Sequence, residues 1–276
     1  MNRLVQMTRK DFVDAARDRE LYVAGALFLL IGLGIGYLVG NSRGAPSNTV
    51  ARLSLTALVF FGSVAAISLS YNQIVGKRAS GELRVLLSLP FSRFETVYGT
   101  ALGRWLLMTA MATTTVFVAA IVAAVMGGPV AIEPLVGTLV AVWALLAVFV
   151  SLSAGSANTT RAAGGAFGLF ILFLFRLWDG APLGIRYVLN GFSLPGPNQP
   201  TPTWAKVWGQ IAPIAGLRNA LAGPFPNLAE MLGSWAPQLP TTKPVYAEPW
   251  FGAVVVLVWI VLPVTLGYVQ LRNADL

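Results

Sequence analysis

The sequence contains no cysteine and no histidine among its 276 residues. Without cysteine there is no disulfide and no thiolate nucleophile, and cysteine usage gives no indication of the redox compartment. Without histidine there is no imidazole to bind a metal or to act as a base near neutral pH. These absences exclude the commonest routes to nucleophilic catalysis and to transition-metal binding, so we predict neither a catalytic site nor a metal site.

Charged residues are also scarce, at 11% of the chain, whereas about 25% is typical of soluble domains. Hydrophobic residues make up 56%, and the mean hydropathy is +0.70. So few charges cannot cover the surface of a water-soluble fold of this size. Apolar runs near the ~20 residues that cross a bilayer recur along the chain. The sequence therefore predicts an all-α integral membrane protein.

The net charge of +8 raises the question of a nucleic-acid partner. The basic residues cluster at the ends of hydrophobic runs, which is the positive-inside pattern and not a patch that lines a groove. We therefore expect no nucleic acid and a multi-pass plasma-membrane protein with both termini cytoplasmic. The six predicted spans are residues 21–39, 51–70, 100–126, 134–153, 162–177 and 249–268.

Residues 1–20 have the pattern of an amphipathic helix that lies in the headgroup layer before the first span. The apolar arc of this helix contains Leu4, Val5, Phe12, Ala15 and Ala16, and the polar arc contains Arg3, Gln6, Lys10, Asp14 and Arg17. A solvated leader is the alternative interpretation. A secretory signal is not expected, because four acidic residues precede the first apolar run.

Residues 179–247 interrupt the pattern of long apolar runs and hold most of the prolines. Within them Trp204, Trp208 and Ile211 share one helical face, and residues 217–221 continue an apolar run after Pro213. Neither piece is long enough to span. We expect an extracytoplasmic segment before span 6, with interfacial or re-entrant helices and tryptophans at headgroup depth.

Two glycine-containing patterns resemble nucleotide-binding motifs, but neither has the structural context that such a motif requires. Gly76 and Lys77 are followed by Arg78, and no strand precedes them, so they do not form a phosphate-binding loop. A glycine series lies inside the first apolar run, where close packing of helices is the better interpretation. Its members are Gly32, Gly34, Gly36 and Gly40.

The span centres carry no ionisable residue, which disfavours a carrier driven by an ion gradient. Several hydroxyl side chains could line a path through the spans, but hydrogen bonds between helices are the favoured interpretation. They belong to Ser54, Thr56, Ser63 and residues 113–115.

The longest polar interruption between the early spans is residues 71–104, called the polar segment below. Leu83, Leu86 and Leu87 form a short apolar stripe at helical spacing, and Pro90 ends it. Such a helix can lie on the membrane or enter a groove of a partner, and the residues alone leave both possibilities open.

The polar segment resembles the cytoplasmic loop of ABC export permeases of the type-2 class. The resemblance is carried by GKRASGELRVLLSLPFSR at residues 76–93 and GTALGR at residues 99–104, with Thr100 where the family commonly has lysine. QIAPI at residues 210–214 resembles the family's outer Ser-Pro motif, and the tail of residues 272–276 is similar to its short basic ending. The layout is closest to permeases of the nitrous-oxide-reductase maturation group.

This resemblance implies that residues 1–276 form one transmembrane permease domain whose cytoplasmic coupling loop, residues 71–99, docks on a separate ABC ATPase subunit. It also implies a permease dimer and export, with ATP bound by the partner and no cofactor bound by this chain. The implied coupling residues are Gly81, Glu82, Leu83, Arg84, Leu86, Leu87, Pro90 and Arg93. A non-transporting membrane scaffold or assembly factor is the alternative function, and the cargo stays open.

Overall fold

The computed structural model describes residues 2–70, 91–154, 159–196, 199–233 and 244–273, except for the side chains of residues 159–163. Apart from a π-helical turn, Leu58–Gly62, and a 3-10 turn, Val245–Ala247, the chain forms α-helices and no strand within these ranges, in agreement with the predicted class. They are α1 Arg3–Ala16, α2 Arg19–Gly40, α3 Thr49–Ser70, α4 Arg93–Val125, α5 Ile132–Ala154, α6 Thr159–Leu174, α7 Leu177–Leu189, α8 Thr203–Gln210, α9 Pro213–Leu221, α10 Pro226–Leu232 and α11 Pro249–Arg272.

Among the described residues, five helices are long and apolar enough to cross a membrane, namely α2, α3, α4, α5 and α11. A sixth crossing requires α6 and α7 to act together, because the two are bent by 80° at the break between them. A multi-pass membrane protein is therefore confirmed. Whether the predicted six spans all cross depends on this bent pair.

The long helix α4 begins at Arg93, two turns before the predicted start of span 3 at residue 100. Ser92 supplies the reason, because its hydroxyl accepts the Glu95 N–H at 3.1 Å while the Glu95 carboxylate accepts the Ser92 N–H at 2.7 Å. This reciprocal capping box satisfies two backbone donors at the helix start. The last third of the polar segment is therefore the beginning of a membrane-spanning helix.

Two compact units make up the fold, one of Met1–Phe167 with Trp259–Leu276 and the other of Gly168–Val258. In the first unit α2 packs along α4 through its glycines. A β-carbon placed on Gly32 would lie 2.7 Å from the Thr115 carbonyl oxygen, and one on Gly36 would lie 2.6 Å from Val122 Cβ. The packing role predicted for the glycine series is thus confirmed at these positions, whereas Gly34 faces open space.

In the second unit the break between α6 and α7 is made by Arg176, whose φ of 56° places a non-glycine residue in the left-handed region. The Arg176 guanidinium Nε donates to Asp179 Oδ2 at 3.0 Å, and the Asp179 N–H donates to the Arg176 carbonyl at 3.1 Å. Span 5 was predicted to run to residue 177, and this boundary is wrong because α6 ends at Leu174.

Two tryptophans hold α7 against α8 in the second unit. Their rings stack with centroids 4.6 Å apart, and each indole N–H donates to the other residue's backbone carbonyl at 2.9 Å. The pair is Trp178 and Trp208. Trp208 was predicted to lie at headgroup depth, and here its N–H is used within the fold.

The short helix α9 is buried along almost its whole length. It crosses the start of α11 at two glycines, where a β-carbon on Gly216 would lie 2.7 Å from Val255 Cγ1. A β-carbon on Gly252 would lie 2.6 Å from the Ala220 nitrogen and closer still to the Gly216 carbonyl oxygen. Small residues at the crossing let the two helix backbones approach each other.

Candidate coupling site at the start of α4

Three helices of the first unit meet around the beginning of α4. The N-terminal helix α1 lies along one side of α4, and the last turns of α11 lie near its first residue. Because α4 begins within the polar segment, a displacement of this segment would be transmitted to the other helices at this junction. We call residues 92–104 with their contacts on α1 and α11 the coupling site.

The contact between α1 and α4 depends on two glycines one turn apart. A β-carbon on Gly99 would lie 2.7 Å from Met7 Cγ, and one on Gly103 would lie 2.9 Å from Asp11 Oδ2. Both glycines belong to the GTALGR motif, so the structure gives a packing reason for them. Glycine at these positions allows α1 to lie directly on the α4 backbone.

A buried ion pair lies at the same crossing. Arg104 Nε donates to Asp11 Oδ2 at 3.0 Å, and the side chains are 6% and 0% exposed respectively. A buried charge is tolerated when it is paired and hydrogen-bonded. The pair therefore fixes both the position and the rotation of α1 against α4.

This burial corrects part of the amphipathic pattern predicted for residues 1–20. The buried face of α1 contains Met7, Asp11 and Ala15, whereas Val5 is 51% exposed. The regular spacing of four residues between Met7, Asp11 and Ala15 is a helical signal. This spacing does not identify the buried face from the sequence, because an aspartate in the middle of an apolar face contradicts the ordinary amphipathic pattern.

Arg93 joins the start of α4 to the end of α11. Its Nη1 donates to the carbonyl oxygens of Leu271 and Arg272, at 3.0 Å and 2.5 Å. The last carbonyls of a helix lack partners within the helix, and a cation near them is favourable. α11 accordingly ends at Arg272, four residues later than the predicted span.

Aromatic and hydroxyl groups strengthen the same junction. The Phe94 and Tyr98 rings stack at 4.4 Å, and the Tyr98 hydroxyl lies 2.8 Å from Thr265 Oγ1 on α11. Beside them Val97 and Val264 share a small apolar core with the end of α5. The start of α4 is thus bonded to α11 as well as to α1.

Farther along the spans, the predicted hydrogen bonds between helices are found for some hydroxyls. Thr115 Oγ1 donates to the Phe28 carbonyl on α2 at 3.0 Å, and Thr113 Oγ1 accepts the Trp143 indole N–H at 3.0 Å. In the described part of the chain, Thr56 donates to the Arg52 carbonyl of its own helix. Buried hydroxyls without a partner within the described residues are those of Ser54, Ser63, Ser70 and Thr100.

An apolar cavity of about 250 Å³ lies between α4, α5 and the second half of α11. Tyr98, Trp105 and Val150 are among the residues that line it. At its wall the Ser151 hydroxyl donates to the Ile260 carbonyl and accepts the Val264 N–H at 3.1 Å. The hydroxyl therefore lies between the Ile260 carbonyl and the Val264 N–H of α11, next to Pro263.

Of the predicted coupling residues, only Arg93 belongs to the described part of the chain, and its guanidinium faces the end of α11. The remaining ones lie outside the described residues, and their docking role stays a prediction. They are Gly81, Glu82, Leu83, Arg84, Leu86, Leu87 and Pro90. The sequence did not identify Asp11 and Arg104 as a pair, because nothing local marks two residues 93 positions apart.

Comparison with known proteins places the chain among transport proteins. The model of a family described as ABC-2 family transporter protein matches residues 6–276. A probable ABC transporter permease protein NosY of Pseudomonas aeruginosa is 32% identical over 202 residues, covering 68% of this chain and 73% of the relative. A probable ABC transporter permease protein NosY of Stutzerimonas stutzeri is 26% identical over 186 residues, covering 63% of this chain and 67% of the relative.

Proposed function

Because the chain belongs to the ABC-2 transporter family, as a membrane-spanning permease subunit, we propose that it couples ATP hydrolysis by a separate ATPase subunit to substrate movement. One observation carries the proposal: the family match covers residues 6–276 and therefore includes the polar segment together with the spans. ATP binding and hydrolysis belong to the partner. This chain contributes the path and the surface on which the partner acts.

The coupling site supplies a physical route for this work. The proposed coupling loop, residues 71–99, includes the first turns of α4, which begin after the Ser92 cap, so movement of a docked ATPase would displace the first turn of α4. That turn is bonded to α11 through Arg93 and Tyr98, and α4 is bonded to α1 through Asp11 and Arg104. One displaced segment therefore acts on three helices at once.

The docking surface we propose is the stripe of Leu83, Leu86 and Leu87, with Glu82 beside it and Arg84 and Arg93 at its rim. An amphipathic helix binds a partner by burying its apolar face in a groove. Gly81 and Pro90 belong to the same proposed docking segment. In the assembled transporter two permease chains would pair with two ATPase subunits.

The leucine stripe can be tested with the double variant Leu86→Asp/Leu87→Asp. The permease, reconstituted with its cognate ATPase, is expected to stimulate ATP turnover, and the double variant is expected to lose this stimulation. Two carboxylates cannot enter an apolar groove without losing their hydration. ATP turnover of the reconstituted complex is the measurement, and membrane insertion is checked by the amount of chain in the washed membrane fraction.

A matched control adds two carboxylates elsewhere, at Phe192 and Leu194, which are exposed in the segment before α8. Phe192→Asp/Leu194→Asp is expected to leave the stimulation unchanged. If the Leu86/Leu87 variant inserts normally and still stimulates the ATPase fully, the docking role of this stripe is wrong.

We further propose export as the direction of transport, from a plasma membrane in which both termini face the cytoplasm and residues 179–247 lie outside. The support is the predicted loop charge asymmetry and the resemblance of the polar segment to export permeases. Substrate efflux from cells that carry the complex, compared with cells that carry the Leu86/Leu87 variant, is the direct measurement of direction.

A further inference from the structure

A buried cation lies in the second unit. Arg218 is in α9 and is 2% exposed. Its neighbours are the amides of Gln210, at the end of α8, and Asn219, which are 3% and 0% exposed. Burial of a guanidinium costs free energy unless an anion or hydrogen-bond acceptors compensate its charge, so we ask which groups compensate Arg218.

The hydrogen bonds of the cluster orient both amides. Arg218 Nη2 donates to Gln210 Oε1 at 3.0 Å and to Asn219 Oδ1 at 3.0 Å, and its Nε donates to Asn219 Oδ1 at 3.3 Å. Asn219 Nδ2 donates to Gln210 Oε1 at 3.0 Å and to the Tyr246 carbonyl at 3.4 Å. Every amide oxygen of the cluster is therefore already in use as an acceptor.

Within the described residues, the polar groups of these side chains that make no hydrogen bond are all N–H donors. The Nη1 hydrogens of Arg218 and the Nε2 hydrogens of Gln210 have no acceptor within the described residues. The two groups belong to side chains that are in direct contact, since Arg218 Nη2 bonds Gln210 Oε1 at 3.0 Å. A cluster that offers only N–H groups, one of them charged, is complementary to an acceptor that carries negative charge.

The charges around the cluster do not supply that acceptor. Asp179 is the acidic residue whose field acts on Arg218, but its carboxylate is held by Arg176 at 3.0 Å. Within the described residues no carboxylate forms an ion pair with Arg218. Burial lowers the pKa of Arg218 to about 10, which leaves the guanidinium protonated at neutral pH. The local sum of Arg176, Asp179 and Arg218 is thus one positive charge.

We propose that Arg218 and Gln210 form a binding site for an oxyanion, either the phosphate of an anionic lipid headgroup or a soluble phosphate-like anion. A guanidinium and an amide N–H bind phosphate oxygens through charge-assisted hydrogen bonds. Asn219 positions the guanidinium and does not contact the anion. The site is independent of ATPase docking, so it stands or falls separately from the proposed function.

The experiment uses the purified full chain and measures its melting temperature under two sets of conditions. In neutral detergent, inorganic phosphate is compared with chloride at equal ionic strength; in lipid nanodiscs, phosphatidylglycerol is compared with phosphatidylcholine. A ligand that binds only the folded state raises the melting temperature. A rise of about 3 °C in the detergent comparison identifies a soluble anion, and a rise only in the nanodiscs identifies a headgroup.

Gln210→Glu is the decisive variant because it provides an internal anion. The new carboxylate would accept from Arg218 and Asn219 where the amide oxygen does now. We expect this variant to melt at a higher temperature than wild type without phosphate or phosphatidylglycerol, and to lose the response to both. Since the variant adds a counter-ion and removes none, its expected effect on folding is favourable.

The matched control is Gln199→Glu, the same substitution at an exposed residue of the same unit, where the side-chain oxygen accepts from Asn190. This control is expected to keep the anion response of wild type. The proposal is overturned if neither anion raises the melting temperature of wild type, or if Gln210→Glu responds as strongly as wild type does.

Discussion

At the scale of single residues, the buried pair of Asp11 and Arg104 determines how α1 lies on α4. Removing one partner of a buried pair leaves the other charge without compensation, which costs about 3–5 kcal/mol. Asp11→Asn leaves the Arg104 guanidinium buried without this carboxylate and is expected to destabilise the chain on this scale, and Arg104→Gln is expected to destabilise it as well. The combined variant Asp11→Leu/Arg104→Met should cost less than the sum, because no charge stays buried alone. Thermal unfolding in detergent measures all of them.

The control for this pair lies on the same helix. Lys10 Nζ is 2.8 Å from Asp14 Oδ2, and both side chains are exposed. Because surface pairs contribute only about 0–1 kcal/mol, Asp14→Asn should barely change the unfolding temperature. Equal effects of Asp11→Asn and Asp14→Asn would show that burial of the Asp11 pair contributes nothing.

Residue types were predicted better than residue partners. The centres of the predicted spans contain no ionisable residue, yet Arg104, near the start of a span, is buried. Its partner Asp11 is 93 positions away, and only the packing of α1 on Gly99 and Gly103 brings the two together. The partners of Arg218 are close in sequence, Asn219 next to it and Gln210 eight residues before it, but no sequence pattern marks the three residues as a buried cluster.

At the scale of helices, the glycines of α2 give a prediction with an internal control. Gly36→Ala would place a β-carbon 2.8 Å from the Ala119 carbonyl oxygen on α4, so the helices must separate. Overpacking of this kind costs about 1–3 kcal/mol. Gly34→Ala meets nothing within 4 Å and should instead stabilise the helix slightly, because alanine is the better helix former.

Thermal unfolding of both purified variants in detergent is the measurement. The test is that the two variants shift the unfolding temperature in opposite directions. Both make the same substitution in the same helix, two residues apart. A Gly36→Ala chain that is as stable as Gly34→Ala would show that α2 and α4 are not in close contact at this position.

Some helix boundaries are marked by a local sequence pattern, and others are not. Ser92 and Glu95 have the spacing of a capping box, and this local signal could have placed the start of α4 at Arg93. The break at Arg176 carries no such signal, because a left-handed arginine is uncommon. The inserted Ser151 hydroxyl next to Pro263 also depends on a neighbouring helix. Local chemistry was therefore predictable; the glycines of α2 also predicted close packing of helices, but the partner residues on the neighbouring helices were not predictable.

At the scale of the whole molecule, the number of crossings decides on which side each terminus lies. Five candidate spans place the termini on opposite sides, whereas a sixth crossing by the bent pair α6–α7 places them on the same side. The predicted loop charges favour the same side, with residues 179–247 outside. We therefore expect α6 and α7 to cross as one broken span.

The absence of cysteine makes this expectation directly testable, since any single introduced cysteine is the only thiol in the chain. Asn2→Cys and Asn273→Cys report on the termini, while Ser42→Cys and Leu194→Cys report on the predicted outer side. With a membrane-impermeant maleimide, the last two are expected to react in intact cells and the first two only after lysis. Reaction of Asn273→Cys in intact cells, with Asn2→Cys protected, would mean five crossings, because an odd number of spans separates the termini.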